Sequence, residues 1–251
     1  MEPLNTNPTL DRRTVLRSAA FAGVSLFAGG LLAGCGGDGV TSTANNQDQQ
    51  ILGAAKIAEA LATTMYTGII NDAPWFSTLS AEDQSYITAA RDEEKFHYDL
   101  LKGATGGTDA PLTYHFPAGM FTDPQTTINV LITLEDAFIA AYLVGVKDLS
   151  SPALRVLAAQ IMGIESDHRT LGRLIGDELG LTTITGLSGS PESVDPPNNN
   201  VYERTYGLTT IDQVVAALTP FLSAGTGTVA KTFDPSYAPS NTDLYPNPAN
   251  G

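Results

Sequence analysis

Apolar residues recur at three- and four-residue steps in four long stretches of the chain, and this spacing predicts four amphipathic helices. In the first stretch the recurring apolar positions are Ile51, Leu52, Ala55, Ala58, Ala62, Met65 and Ile69. The predicted helices run from about Asp48 to Ile70, Ser80 to Gly103, Asp123 to Leu149 and Ser151 to Gly180. Each begins at a capping residue, and the last two place Pro124 and Pro152 directly after it, as helix starts prefer.

The connections between these helices indicate how they are arranged. About eight residues join the first helix to the second, and two or three join the third to the fourth. Each pair is therefore predicted to form an antiparallel hairpin. About twenty residues, from Gly103 to Thr122, separate the two hairpins. Because an extended segment of that length can run back along a helix of about 30 Å, we expect an all-α four-helix bundle with one long crossover.

Beyond Gly180 the chain is predicted to be largely irregular. Residues 182–206 are loop-like, with three prolines and three consecutive asparagines, and the tail from Gly225 onward is rich in Pro, Ser and Asn. A short fifth helix is expected between them, from about Thr210 to Ser223, where Pro220 would kink or shorten it. The expected parts of the chain are a signal at 1–34, a tether at 35–47, the bundle at 48–180 and an extension at 181–251.

Composition narrows the classes of partner. The 251 residues are 42% hydrophobic, enough for a buried core, and carry 27 acidic against 13 basic side chains. A net charge of −14 makes nucleic acid a poor partner, because phosphate binding needs a basic face. The single cysteine excludes a disulfide framework and a zinc site built from several thiolates. Only three histidines are present, so the position of each is informative.

The N-terminal segment is typical of an export signal. The paired residues Arg12 and Arg13 precede an apolar, glycine-rich stretch of about 17 residues that ends in Leu32-Ala33-Gly34-Cys35. The arginine pair resembles the twin-arginine signal, and the last four residues resemble a lipobox, in which cleavage leaves Cys35 as a lipidated N-terminus. We therefore expect an exported protein, periplasmic or at the cell surface, held at the membrane through Cys35. The alternative is an uncleaved anchor helix, which the glycines suit poorly.

Two of the three histidines follow a glutamate by three residues. Glu94 precedes His97 in the second predicted helix, and Glu165 precedes His168 in the fourth. Three residues turn a helix by about 300°, so the two side chains of each pair share a face and can hold one ion together. His115 lies in the crossover and is expected to be a loop residue rather than a ligand.

The other two long helices each contribute one glutamate. The residues that share the helical face of Glu135 are all large and apolar: Leu131, Ile132, Phe138 and Ile139. Glu135 therefore points into the core, where a carboxylate needs a partner or a metal. Glu59 has small neighbours on its face, which leave room for an ion. Tyr66 and Tyr142 follow Glu59 and Glu135 by the same interval, so the two hairpins repeat one another.

One glutamate from each of two helices, with Glu-x-x-His from the other two, is the dinuclear carboxylate motif of ferritin-like proteins. On this motif residues 48–180 resemble the ferritin-like superfamily, in particular its exported, desiccation-related group. The resemblance implies Glu59 and Glu135 as terminal ligands and Glu94 and Glu165 as bridging ligands. It implies that His97 and His168 each bind one metal. Tyr66 and Tyr142 would lie near the site, where bacterioferritins and rubrerythrins place a tyrosine.

The resemblance also implies a cofactor and a chemistry. Carboxylates with two imidazoles suit two iron ions, or alternatively two manganese ions. Such a centre would react with O2 or peroxide, as a ferroxidase, a peroxidase or a catalase-like enzyme. The chain departs from rubrerythrins, whose additional iron module needs four cysteines, and from cage ferritins, which carry no lipid anchor. A closed storage shell is therefore not expected, and a homodimer is one candidate assembly.

Several alternatives stay open from the sequence. The Glu-x-x-His pairs could be exposed helical pairs, and Glu59 and Glu135 could form buried salt bridges with a nearby cation: Lys56, Arg91 or Arg155. Tyr66 and Tyr142 could be core aromatics with satisfied hydroxyls. The protein could be a non-catalytic metal-binding or stress-protective lipoprotein, or a structural bundle with a degenerate site. Three further acidic residues are expected to face solvent: Asp92, Glu93 and Asp136.

Overall fold

The computed structural model describes residues 46–194 and 208–239. Its helices are α1 (Asn46–Asp72), α2 (Ala81–Ala104), α3 (Pro124–Asp148), α4 (Pro152–Glu178) and α5 (Ile211–Leu222), with a 3₁₀ turn at Phe76–Thr78. Its strands are β1 (Thr113–Pro117), β2 (Thr183–Thr185), β3 (Pro191–Ser193) and β4 (Thr228–Thr232). The predicted signal with Arg12 and Arg13, Cys35 and most of the predicted tether lie outside the described residues.

The helices begin where their capping residues predict. Ser80 accepts a hydrogen bond from the backbone N–H of Asp83, and Asp123 accepts one from Thr126. Thr210 forms a capping box with Gln213 at the start of α5. These bonds satisfy backbone N–H groups that have no partner within the helix.

Ser151 precedes α4 without forming a side-chain cap hydrogen bond, and the predicted cap of α1 has another role. Asp48 lies in the first turn of α1 and is buried. Its carboxylate accepts hydrogen bonds from the backbone N–H of Ser150, at 2.9 Å, and from the Ser150 hydroxyl, at 2.5 Å. Asp48 therefore ties the start of α1 to the turn between α3 and α4, a contact between distant segments that local capping rules do not reveal.

The predicted four-helix bundle is confirmed. α1 packs along α2, α3 packs along α4, and the two hairpins meet mainly through α1 and α3. Among the described helices, only α3 is long and apolar enough to span a membrane. Of its most apolar 18-residue stretch, 78% is buried inside the protein. The apolar character of α3 is accounted for by its position in the core.

The crossover and the tail contain structure that the sequence analysis missed. β1, in the crossover, pairs antiparallel with β4, in the tail, with Thr113 opposite Thr232 and Pro117 opposite Thr228. His115 therefore lies in a strand rather than a loop, and the tail is not irregular at 228–232. β2 and β3 likewise form a small hairpin within the segment predicted to be loop-like. These strands are three to five residues long, too short for an alternating pattern to stand out.

The fifth helix is confirmed, and Pro220 does not end it. α5 continues to Leu222, so the proline lies in the last turn, where little of the helix follows. Its apolar side packs against the bundle and the crossover through Val214, Leu218 and Phe221. The Phe221 ring lies 5.9 Å from that of Phe116 in β1. The described part of the C-terminal extension that contains α5 therefore belongs to the same core as the bundle.

The contact of α1 with the crossover generates a prediction. A Cβ atom at Gly68 would lie 2.3 Å from Cε1 of Phe121, whereas a Cβ at Gly53 would meet nothing within 4 Å. We expect Gly68→Ala to lower the free energy of unfolding by about 1–3 kcal/mol, because the buried ring must move. Gly53→Ala, in the same helix, should raise it by about 1 kcal/mol through helix propensity. Urea unfolding of both variants measures the difference, and a Gly68→Ala variant as stable as Gly53→Ala would contradict this packing.

Candidate metal centre

Each of the four long helices brings part of one buried polar cluster into the middle of the bundle. The members of this cluster are Glu59 of α1, Glu94 and His97 of α2, Glu135 of α3, and Glu165 and His168 of α4. None is more than 5% exposed, and three of the four glutamates are fully buried. The structure therefore places all six predicted ligands together, and the interpretation of exposed helical pairs is wrong.

The cluster divides into two overlapping groups, each suited to one ion. The first group consists of Glu59, Glu94, His97 and Glu165, and the second of Glu94, Glu135, Glu165 and His168. In each group the candidate ligand atoms lie within 4.8 Å of one another. Glu94 and Glu165 belong to both groups, which is the arrangement expected of bridging carboxylates. The remaining glutamate and histidine of each group belong to that group alone.

Both histidines turn the same ring nitrogen toward the carboxylates. Nδ1 of His97 lies 3.4 Å from Oε2 of Glu59 and 3.6 Å from Oε1 of Glu165. Nδ1 of His168 lies 3.0 Å from Oε1 of Glu94 and 3.5 Å from Oε2 of Glu165. Each imidazole therefore faces the shared carboxylates with the nitrogen that could bind an ion.

The cluster holds more buried acceptors than its own donors can satisfy. Several side-chain atoms in it have no hydrogen-bond partner: Glu59 Oε2, Glu94 Oε2, Glu135 Oε2, both carboxylate oxygens of Glu165, and Nδ1 of His97. Buried polar atoms are normally paired, so this concentration of unpaired oxygens fits cations held between them. The residues present therefore fit a pair of metal ions.

No lysine or arginine within residues 46–194 and 208–239 forms an ion pair with these carboxylates. Lys56 donates instead to the carbonyl of Thr108 at 2.9 Å, Arg91 pairs with Asp92, and Arg155 donates to the carbonyl of Leu149. The alternative of buried salt bridges to these three residues is therefore wrong.

The concentration of negative charge shifts the pKa values of the glutamates and histidines in the cluster. Burial raises the pKa of Glu94, Glu135 and Glu165, and neighbouring carboxylates raise it further. Burial acts to lower the pKa of His97 and His168, but the carboxylates around them raise it well above its usual value. In the metal-free protein the cluster therefore holds protons where the metal-bound form would hold cations.

The two tyrosines join the hairpins reciprocally across the cluster. The Tyr66 hydroxyl, from the first hairpin, donates to Oε1 of Glu135 at 2.6 Å, and the Tyr142 hydroxyl donates to Oε1 of Glu59. Burial and these carboxylates raise the pKa of both phenols well above its usual value, so both remain neutral donors. They are core aromatics with satisfied hydroxyls, and they also orient two members of the cluster.

Glu93 supports the cluster from outside and was predicted to face solvent. Its Oε2 lies 2.8 Å from Nε2 of His168, the ring nitrogen that does not face the other carboxylates. Its side chain is only 15% exposed. A pattern of one helix cannot show this role, because the partner of Glu93 lies on α4, 75 positions along the chain.

The expectation of solvent exposure is also wrong for Asp92 and Asp136, which are each 1% exposed. Asp92 pairs with Arg91 and accepts a hydrogen bond from the hydroxyl of Tyr237 in the tail, at 2.5 Å. Asp136 accepts a hydrogen bond from Nε of the buried Arg169 at 2.6 Å. A hydroxyl group from the tail therefore covers Asp92, and a guanidinium group from α4 covers Asp136. Helical periodicity does not reveal such contacts between elements.

Fold and cluster together define a helical-bundle protein with a buried carboxylate and histidine site compatible with two metal ions. The model of the ferritin-like domain family matches residues 47–176, slightly more than half of the 251 residues. The chain therefore belongs to the ferritin-like family. A search of curated proteins found no match.

The raised pKa values predict how pH and metal affect stability. The pKa values of Glu94, Glu135 and Glu165 are raised above the ordinary value of about 4.5, and those of His97 and His168 well above about 6.5. Above those pH values the folded, metal-free protein therefore binds more protons at these groups than the unfolded chain does. The cluster's contribution to the free energy of unfolding should therefore fall as pH rises from about 5 to 8. Mn²⁺ should oppose this fall, because metal binding requires the deprotonated ligands.

Thermal unfolding at several pH values, with a chelator or with Mn²⁺, measures this effect. Glu135→Gln should flatten the pH dependence of the metal-free protein, because it removes one of the carboxyls whose pKa is raised. A stabilisation by Mn²⁺ that does not increase with pH would contradict the prediction.

Proposed function

We propose that the chain is a dinuclear metal protein in which the two overlapping groups of the cluster each bind one ion. Glu94 and Glu165 would bridge the ions, while Glu59 with His97 and Glu135 with His168 would each complete one position. The observation that carries this proposal is the set of unpaired carboxylate oxygens shared between the two groups. Its ferritin-like family membership supports the same function.

The hydrogen bonds from the two tyrosines prepare the carboxylates of Glu59 and Glu135 to act as terminal ligands. Tyr142 and Tyr66 occupy Oε1 of Glu59 and Glu135 respectively, and Oε2 of each glutamate has no hydrogen-bond partner. Each terminal glutamate is therefore held by one oxygen and presents the other to an ion. A neutral phenol is a suitable partner here, because it removes no charge from the carboxylate.

We propose two iron ions, with two manganese ions as the alternative. Carboxylate oxygens with imidazole nitrogens suit both metals, and thiolates, which copper(I) and structural zinc prefer, are not among the ligands. When bound, two such ions supply two-electron redox chemistry with O2 or peroxide. The protein's own contribution is to hold the ligands in fixed positions and to exclude bulk water, since the whole cluster is buried.

Metal analysis tests the centre directly. The purified protein is expected to hold about two iron or manganese ions per chain, measured by mass spectrometry. Glu94→Ala and Glu165→Ala should each lose both ions, because each removes a ligand of both positions. His115→Ala is the matched control, since the third histidine lies in β1 and belongs to neither group. Its metal content should equal that of the unaltered protein.

Turnover distinguishes an enzyme from a metal-binding protein without catalysis. The metal-loaded protein is expected to oxidise Fe(II) with O2 or to consume peroxide, and the metal-free protein is not. Stoichiometric metal with no turnover would support a metal-binding or stress-protective role instead. Absence of stoichiometric metal, after anaerobic loading as well, would leave a structural bundle and contradict the proposed centre.

We also propose that the protein is exported through the twin-arginine route and anchored by a lipid on Cys35. The support is the sequence Arg12-Arg13 ahead of an apolar segment and the Leu32-Ala33-Gly34-Cys35 motif. The twin-arginine route carries folded proteins, so a metal loaded before export would travel inside the bundle. The anchored domain would then act outside the cytoplasmic membrane.

Fractionation tests the anchor and the signal separately. Replacing both Arg12 and Arg13 by Lys should retain the protein in the cytoplasm, because the paired arginines are the export signal. Cys35→Ser should abolish the incorporation of labelled fatty acid into the protein. It should also remove the lipid-modified form of the protein from the membrane fraction. Unchanged labelling in Cys35→Ser would show that Cys35 is not the lipidated residue.

A further inference from the structure

The two halves of the cluster are related by a repeat in the chain. Glu59 and Tyr66 of the first hairpin correspond to Glu135 and Tyr142 of the second, and Glu94-x-x-His97 corresponds to Glu165-x-x-His168. The contacts in the structure repeat as well. Each tyrosine donates a hydrogen bond to the glutamate of the other hairpin, and both histidines turn Nδ1 toward the carboxylates. A complete repeat would give the two ion positions the same surroundings.

The repeat breaks at the residue that precedes each shared glutamate. This residue is Glu93 in α2 and Ile164 in α4. Glu93 reaches Nε2 of His168 at 2.8 Å, whereas the hydrocarbon side chain of Ile164 cannot accept a hydrogen bond. In the part of the chain that the structure describes, Nε2 of His97 has no hydrogen-bond partner comparable to Glu93.

We infer that Glu93 makes the two ion positions inequivalent, and that the position of His168 and Glu135 binds its ion more tightly than that of His97 and Glu59. The inference rests on the proposed dinuclear centre. A carboxylate that accepts the outer N–H of a metal-binding histidine fixes its tautomer and ring orientation and makes the ligand nitrogen more basic. Glu93 is therefore a positioning residue, which acts on the ion through His168.

The surroundings of Glu93 direct its charge to this one histidine. Its carboxylate pairs with His168, and in the described residues no lysine or arginine forms an ion pair with it. The side chain is 15% exposed and that of His168 is 4% exposed, so solvent screens their interaction only in part. Losing such an outer partner typically costs about 10–100-fold in metal affinity.

Titration calorimetry of the metal-free protein with Fe²⁺ under anaerobic conditions tests the inference. The unaltered protein is expected to bind two equivalents in steps whose affinities differ by about tenfold or more. Glu93→Gln should weaken the tighter step by about 10–100-fold and leave the weaker step in place. Ile164→Glu, which supplies the missing carboxylate at the corresponding position, should strengthen the weaker step.

Two histidine variants assign the steps to positions. His168→Ala should remove the tighter step and His97→Ala the weaker one. Thermal unfolding of each metal-free variant checks that the bundle is intact. A merely structural role of Glu93 would instead weaken both steps together, and that result would overturn the inference.

The same titration of the unaltered protein also distinguishes failure of this inference from failure of the proposed dinuclear centre. Two equivalents bound with equal affinity would overturn the inference and leave the dinuclear centre standing. Binding of no Fe²⁺ would overturn both.

Discussion

The burial of four carboxylates with only two imidazoles to balance them is the constraint on which this structure depends. A buried carboxylate without a partner is costly, and the described lysines and arginines form no ion pair with these four. Such an arrangement is stable only if protons or metal ions supply the missing positive charge. The neutral tyrosines Tyr66 and Tyr142 orient Glu135 and Glu59 without adding charge, so protons or metal ions must still supply it.

The elements outside the four helices hold the helices in place beside the cluster. Arg169, next to His168 in the chain, joins Asp136, next to Glu135, and also pairs with Glu192 of the β2–β3 hairpin at 2.5 Å. Asp136 accepts a further bond from the backbone N–H of Leu187. In addition, the hydroxyl of Tyr237 in the tail donates a hydrogen bond to Asp92, one residue before Glu93. The described parts of the C-terminal extension therefore support residues adjacent to candidate ligands, and none of their side chains belongs to the cluster.

The near-symmetry of the cluster and its departure at Glu93 have different physical meanings. Repeated glutamates, histidines and tyrosines from two similar hairpins form the two similar groups of the cluster, each of which would bind one ion in the proposed dinuclear centre. A single change, Glu93 against Ile164, alters the outer partner of one histidine and not the other. Small differences in outer hydrogen bonds change ligand basicity and orientation, so chemically alike positions can differ in affinity.

The sequence by itself predicted the bundle, from helical periodicity and connection lengths, and the six candidate ligands, from their spacing and the resemblance to ferritin-like proteins. Residues three apart, such as Glu94 and His97, share a face in any helix, and the apolar neighbours of Glu135 show that its face is buried. Only the tertiary structure decided the partners of Glu93, Asp92 and Asp136 and the pairing of β1 with β4. Most of those contacts join segments distant in the chain, and the pattern of a single helix does not show whether an acidic side chain faces solvent or a partner on another element.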